Sequence, residues 1–197
     1  IDRKNLELDL NNYDFIPSGK FNIFEKLVQT NNTVTLIAGS TYHHTHENVK
    51  DIPKPYREFK YPVVYTITQK EGIKCRYTDI KKGMFVPKVI WSDGAGTYPI
   101  IDDKGKYGLT QFSYGIQDKP EVLNYIKNAM NDKKFIELMK YVRFGAAHKY
   151  NRKIIGTFKK DFWKQFDYKT EQIQVKTKTK TTNHIHITNN DNAECES

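Results

Sequence analysis

The sequence predicts an α+β domain, a small and mostly antiparallel sheet with helices from the C-terminal half packed on it. Three observations carry that expectation. Between residues 34 and 116 the apolar residues come in short β-branched and aromatic runs, separated by Gly- and Asp-containing clusters; such runs read as strands joined by tight turns. From Lys119 they recur three and four apart instead, the period of amphipathic helices. After Tyr168 the composition shifts to Lys, Thr, Asn and Gln, with Lys176, Lys178 and Lys180 alternating with threonines. Such a segment cannot bury a core, so residues 169–197 are expected to be a disordered tail. Strands first and helices last is the order of an α+β domain.

Residues 1–14 are polar, with Leu6, Leu8 and Leu10 alternating; they are expected to be a linker from an upstream domain. The domain proper then spans residues 15–168. Phe21, Phe24, Leu27 and Val28 predict a short helix, which Asn31 and Asn32 end, and residues 34–40 follow as a buried strand. Residues 41–60 form a polar, His-rich connection in which Pro53 and Pro55 forbid a regular helix. Connections of that length are uncommon unless they have a task.

Residues 61–68 and 73–77 flank the turn Gln69-Lys70-Glu71-Gly72 as a hairpin. The central stretch, residues 87–118, holds three further strand-like runs, the last from Leu109 to Ile116. Beyond it, Pro120 suits a first helical turn, and Val122, Ile126, Ala129 and Met130 share a helical face. Asn131-Asp132 caps a second helix with Phe135, Leu138, Met139 and Val142 on one side. A last helix is expected over residues 152–166, where Ile154, Phe158, Phe162 and Phe166 lie four apart.

The chain's 197 residues carry 32 Lys and Arg against 23 Asp and Glu, a formal charge of +9, and 13 % aromatics. That pairing points to a polyanionic partner, because cations neutralise phosphates and rings stack on bases; the same charge also serves solubility. No apolar run approaches the roughly 20 residues of a membrane span, and no signal peptide pattern opens the chain. A first residue of Ile1 gives the expectation of a piece from a longer protein. With Cys195 in the polar tail, Cys75 and Cys195 are expected not to form a structural disulfide, which favours a reducing compartment.

Asp93-Gly94-Ala95-Gly96 follows a strand as cofactor loops do, but such loops open a helix. Here Thr97 and the run around Pro99 read as another strand, so a hairpin turn is expected and no cofactor is assigned to this chain. His43, His44 and His46 with Glu47 lack paired metal-ligand spacing, and Asp102-Asp103 sits in a Gly-containing turn that favours Asp for its geometry. No Gly-x-Ser-x-Gly elbow occurs. The set that suits nucleic acid is larger. Lys88, Trp91, Tyr98, Lys106, Tyr107, Gln111, Ser113 and Tyr114 interleave cations, rings and amides, and Arg143, His148, Lys149, Tyr150, Asn151, Arg152 and Lys153 form a basic junction.

At these residues the chain resembles the C-terminal target-recognition region of adenine-specific DNA methyltransferases, those of bacterial restriction-modification systems and their relatives in large DNA viruses. The likeness rests on Pro87-Lys88-Val89-Ile90-Trp91, on Tyr98-Pro99, and on the segment from Asp102-Asp103-Lys104-Gly105 through Gly108-Leu109-Thr110-Gln111. The helices and basic junction that follow complete it, over roughly residues 13–167. The resemblance implies double-stranded DNA as partner and an upstream methyltransferase domain in the same polypeptide that binds S-adenosylmethionine and flips the target adenine. It implies a cytoplasmic setting, in the host cytoplasm or a virus factory. The family's Asn/Asp-Pro-Pro-Tyr/Phe motif does not occur here, since Asp51-Ile52-Pro53-Lys54-Pro55-Tyr56 has the wrong spacing. Catalysis is therefore not carried over, and the expected role is DNA positioning and sequence choice, with Gln111, Ser113, Arg143 and Asn151 near base edges. Two other readings stand beside it: a metal-dependent nuclease using the 43–47 loop with Asp93 or Asp102, and a non-catalytic interaction domain.

Overall fold

Strand β5 (Lys88–Ser92) lies at the centre of three layers, and all five of its residues are buried. The computed structural model describes residues 15–39, 42–142 and 149–166. The expected linker 1–14, the tail 169–197, Arg143 and His148 lie outside the described residues. Among the described residues there are two four-stranded sheets. The first has the order β1 (Thr35–Ala38), β8 (Ser113–Gln117), β5, β6 (Ile100–Asp102), with every pair antiparallel. The second has the order β2 (Val49–Lys50), β4 (Gly72–Thr78), β3 (Tyr61–Thr68), β7 (Gly108–Leu109), where only β7 runs parallel to its neighbour. The α+β class read from the sequence is the one observed.

Period-two alternation explains why β5 is buried on both faces. Val89 and Trp91 point into the core shared with the helices, whereas Ile90 packs with Val64, Ile67 and Leu109 between the sheets. The helical layer follows its sequence faces closely. Helix α2 (Pro120–Asn131) buries Leu123, Ile126, Ala129 and Met130, and α3 (Lys133–Val142) buries Phe135, Leu138, Met139 and Val142. Between them Asp132 Oδ1 accepts a bond from the Lys134 N–H at 2.7 Å, the capping that Asn131-Asp132 predicts. The short helix α1 (Phe21–Leu27) adds Phe24 and Leu27 to the same core.

Two expected elements are divided in the structure. The run 109–116 is not one strand: β7 joins the second sheet, β8 joins the first, and residues 110–112 cross between them. A register shift in β3 between Val64 and Thr66 makes this seam, because a bulge leaves backbone groups without ladder partners. Thr110 Oγ1 and Ser113 Oγ both donate to the Val64 carbonyl, at 2.9 and 2.7 Å. Ser92 Oγ accepts from the Ile67 N–H at 2.8 Å and lies 3.1 Å from the Ile67 carbonyl. Hydroxyls from the first sheet and from the crossing thus complete the backbone of the second.

The predicted helix 152–166 is also corrected, since α4 (Arg152–Ile155) stops after one turn. The backbone beyond it is claimed by residues 27–34: the Lys159 N–H bonds the Leu27 carbonyl at 2.7 Å, and the Val34 N–H bonds the Phe158 carbonyl at 2.9 Å. A 3₁₀ helix (Phe162–Gln165) follows. Ile154, Phe158, Phe162 and Phe166 nevertheless all enter one core, gathered round Phe135 with ring separations of 5.3–6.1 Å for the three phenylalanines. Cys75, on β4, is half of a disulfide, against the expectation from sequence; the chain's other cysteine, Cys195, lies outside the described residues. Among the described residues no helix is long and apolar enough to cross a membrane.

Candidate nucleic-acid interface

The Ser92 end of β5 is where the two sequence-distant polar groups meet. Residues 93–97 turn the chain from β5 towards β6, with Gly94 at φ 112° and the Thr97 hydroxyl accepting the Ser92 N–H at 2.9 Å. This is the hairpin turn expected at Asp93-Gly94-Ala95-Gly96, and a strand follows it. Register places Ser92 opposite Ser113 and Trp91 opposite Tyr114, so the start of β8 comes alongside. Tyr114 donates its hydroxyl to Asp93 Oδ2 at 2.8 Å. From the junction after α3, the Arg152 guanidinium lies over the Tyr114 ring, 4.9 Å from its centre. Burial, then the bond to Asp93 and its charge, push the Tyr114 phenol up to about 12, with Arg152 opposing.

Lys149 closes the other side by donating to the Thr97 carbonyl at 3.0 Å, above the Tyr150 ring. Its burial lowers the ammonium pKa. Lys153 is exposed beside Arg152.

From Tyr114 the strip continues through the 110–112 crossing to the His loop. Gln111 Oε1 accepts the His44 N–H at 3.0 Å, and its Nε2 meets His44 Nδ1. The His44 ring stands 5.4 Å from Phe112, which meets Tyr65 edge-on at 5.4 Å. Arg76 then lies 4.3 Å over the Tyr65 ring, donates from Nη1 to the His44 carbonyl at 2.9 Å, and pairs through Nη2 with Asp51 at 3.0 Å. Cations therefore cap both ends of a row of rings and one amide. Gln111, His44, Phe112, Tyr65 and Arg76 are all partly open to solvent, and Lys74, two residues from Arg76 on the same strand face, is exposed.

Several expected site residues are placed elsewhere. Lys88 is fully buried, with Nζ 2.7 Å from Asp102 Oδ2, 2.7 Å from the Tyr107 carbonyl and 3.0 Å from the Val86 carbonyl. It shares its strand face with Ile90, between the sheets, which removes it from any surface. Trp91 is buried on the helix side. Ser113 is spent on Val64. Asn151 is 8 % exposed and caps α4, its Oδ1 accepting from the Lys153 N–H while its Nδ2 donates to the Val142 carbonyl, so it holds a helix end and not a base. Tyr98 is half-buried against the inter-sheet core. Lys106 is exposed over the Tyr107 ring but belongs to the turn after Asp102, which pairs with Lys88. That places it at the far end of β5, about 13 Å away at the usual rise per strand residue.

Tyr65, Arg76 and Phe112 were not singled out in the sequence. Their one signal was positional: Arg76 alternates with Cys75 and Tyr77, which marks it as facing away from the inter-sheet core. Among the described residues no group of three or more His, Cys, Asp or Glu could hold a metal ion. His43 contacts Thr45, and Asp102 is committed to Lys88 and to the backbone N–H groups of Lys106 and Tyr107. No protein-family model, no curated protein and no solved structure matches the chain.

Proposed function

We propose that this chain is a duplex DNA-binding module that serves target recognition for an adenine-specific DNA methyltransferase or restriction-modification protein. The observation that carries the reading is the strip Arg152, Tyr114, Gln111, His44, Tyr65, Arg76, in which guanidinium groups stack on rings at both ends and an amide lies between them. Arginines supply phosphate and guanine contacts, and an amide reads adenine. The net charge of +9 supplies the non-specific attraction that brings a duplex to such a strip.

The sequence resemblance supports the finer part of the proposal: S-adenosylmethionine and the flipped adenine belong to a separate upstream domain, and this chain chooses the site. In that reading the protein works in the cytoplasm.

Fluorescence anisotropy with a labelled duplex, titrated over a range of salt concentrations, tests the proposal. Binding should weaken steeply as salt rises, and Arg76→Gln with Arg152→Gln should reduce the salt slope by about two. Affinity that ignores salt, or no binding at micromolar protein, would sink the reading.

A further inference from the structure

The segment between β2 and β3 ends in a tight turn closed by two backbone bonds, from the Tyr56 N–H to the Phe59 carbonyl at 3.2 Å and from the Phe59 N–H to the Tyr56 carbonyl at 3.0 Å. Its tip departs from an ordinary reversal in two ways. Tyr56 is 59 % exposed, more than any other large apolar side chain among the described residues. Arg57 sits at φ 53°, in the left-handed region that favours Gly or Asn. A turn needing only to reverse the chain would be served by glycine; here the position holds a guanidinium, poised 5.0 Å over the Tyr56 ring.

The surroundings are cationic. Lys54 and Lys60 are exposed in the same segment, and Lys50, at the end of β2, is exposed and lies over the Phe59 ring. Of its two acids, Asp51 is held by Arg76 and only Glu58 stands at the tip. The base of the turn adjoins the strip described above. Asp51 bonds Arg76 at its start, and at its close the Lys60 N–H bonds the carbonyl of Thr78, two residues beyond Arg76 on β4.

We propose that this turn is an inserting tip, with Tyr56 wedging at a base step from the minor groove and Arg57 entering the groove beside it. The chemistry is that of an apolar ring that unstacks a step while a neighbouring arginine meets the negative groove. The proposal rests on the DNA-binding reading and deepens it. Pro53 and Pro55, just before the tip, restrict the backbone that presents it.

The test uses the full chain and a duplex carrying 2-aminopurine at successive positions. Wild-type protein should raise the fluorescence at one step. Tyr56→Ala should abolish that rise and weaken binding roughly five- to a hundredfold while leaving the salt slope unchanged, since base–ring stacking is not ionic. Tyr56→Phe should behave as wild type, and Arg57→Gln should lower the slope by about one. Because Tyr56 is exposed, thermal melting of Tyr56→Ala should match wild type. Salt-dependent duplex binding by a Tyr56→Ala protein with wild-type affinity and wild-type fluorescence would overturn the inserting tip and leave the DNA-binding reading intact. A wild-type chain that binds no duplex would overturn both.

Discussion

The two ends of β5 carry the same three kinds of side chain and put them to different uses. At one end stand Lys88, Asp102 and Tyr107; at the other stand Arg152, Asp93 and Tyr114. The first trio is sealed: the ammonium touches a carboxylate and two carbonyls, which matches its three protons, and neither charged side chain is more than 2 % exposed. In the second trio the carboxylate takes the phenol and the guanidinium lies on the ring, on an exposed residue. The difference lies in the layers. The Lys88 end is covered by Tyr107 and by Leu109 of the second sheet, whereas beyond Ser92, itself bonded to Ile67 of that sheet, the chain turns through 93–97 and leaves Arg152 exposed beside it. Lys88 is thus a structural part, whereas Arg152 can meet a partner.

The sharpest way to break this comparison is at Lys88. Lys88→Ala leaves Asp102 buried without its counter-charge, and removing one partner of a buried pair costs about 3–5 kcal/mol; urea denaturation should show that loss. Substituting both as Lys88→Met and Asp102→Asn should recover part of it. A single variant as stable as wild type would mean the end is not sealed.

Next comes the seam. Ser92→Ala strands the buried N–H and carbonyl of Ile67 and should cost about 1–3 kcal/mol, read by the same denaturation. Arg152→Ala should change stability little, by under about 1 kcal/mol for an exposed cation–ring contact, yet lower the salt slope of DNA binding by about one. Lys106→Ala, exposed but at the other end of β5 from the strip, should leave that slope where it is.

The smallest effect is in alkaline titration. The Tyr114 phenol is raised from 10.0 to about 12 in the folded protein, so its contribution to stability is complete below pH 10 and is lost as pH rises through 12. The wild-type melting temperature should therefore fall further between pH 10 and 12 than that of Tyr114→Phe. Asp93→Asn removes a charge that raises this pKa, and an NMR titration of labelled tyrosine should move down accordingly.

Local pattern made much of this architecture legible. The helical period identified the buried faces of α2 and α3, and the turn residues located the β3–β4 hairpin and the 93–97 reversal. It failed where backbone groups were claimed from a distance. The spacing of Ile154, Phe158, Phe162 and Phe166 marks a common core face, but the Leu27 carbonyl takes the Lys159 N–H and ends the helix. The sequence's candidate residues Gln111, Tyr114, Lys149, Arg152 and Lys153 lie together around the Ser92 end and the adjoining crossing. Lys88, Trp91, Ser113 and Asn151 have the same chemistry and are consumed inside.

The sequence by itself determined the α+β class, the charge and the periodic faces, because alternation, helical period and turn chemistry act over a few residues. Only the tertiary structure decided which polar groups remain at a surface, since that depends on which layer covers each end of β5. It also joined Arg76 to His44 and Arg152 to Tyr114 across gaps of 32 and 38 residues, contacts that no local pattern encodes.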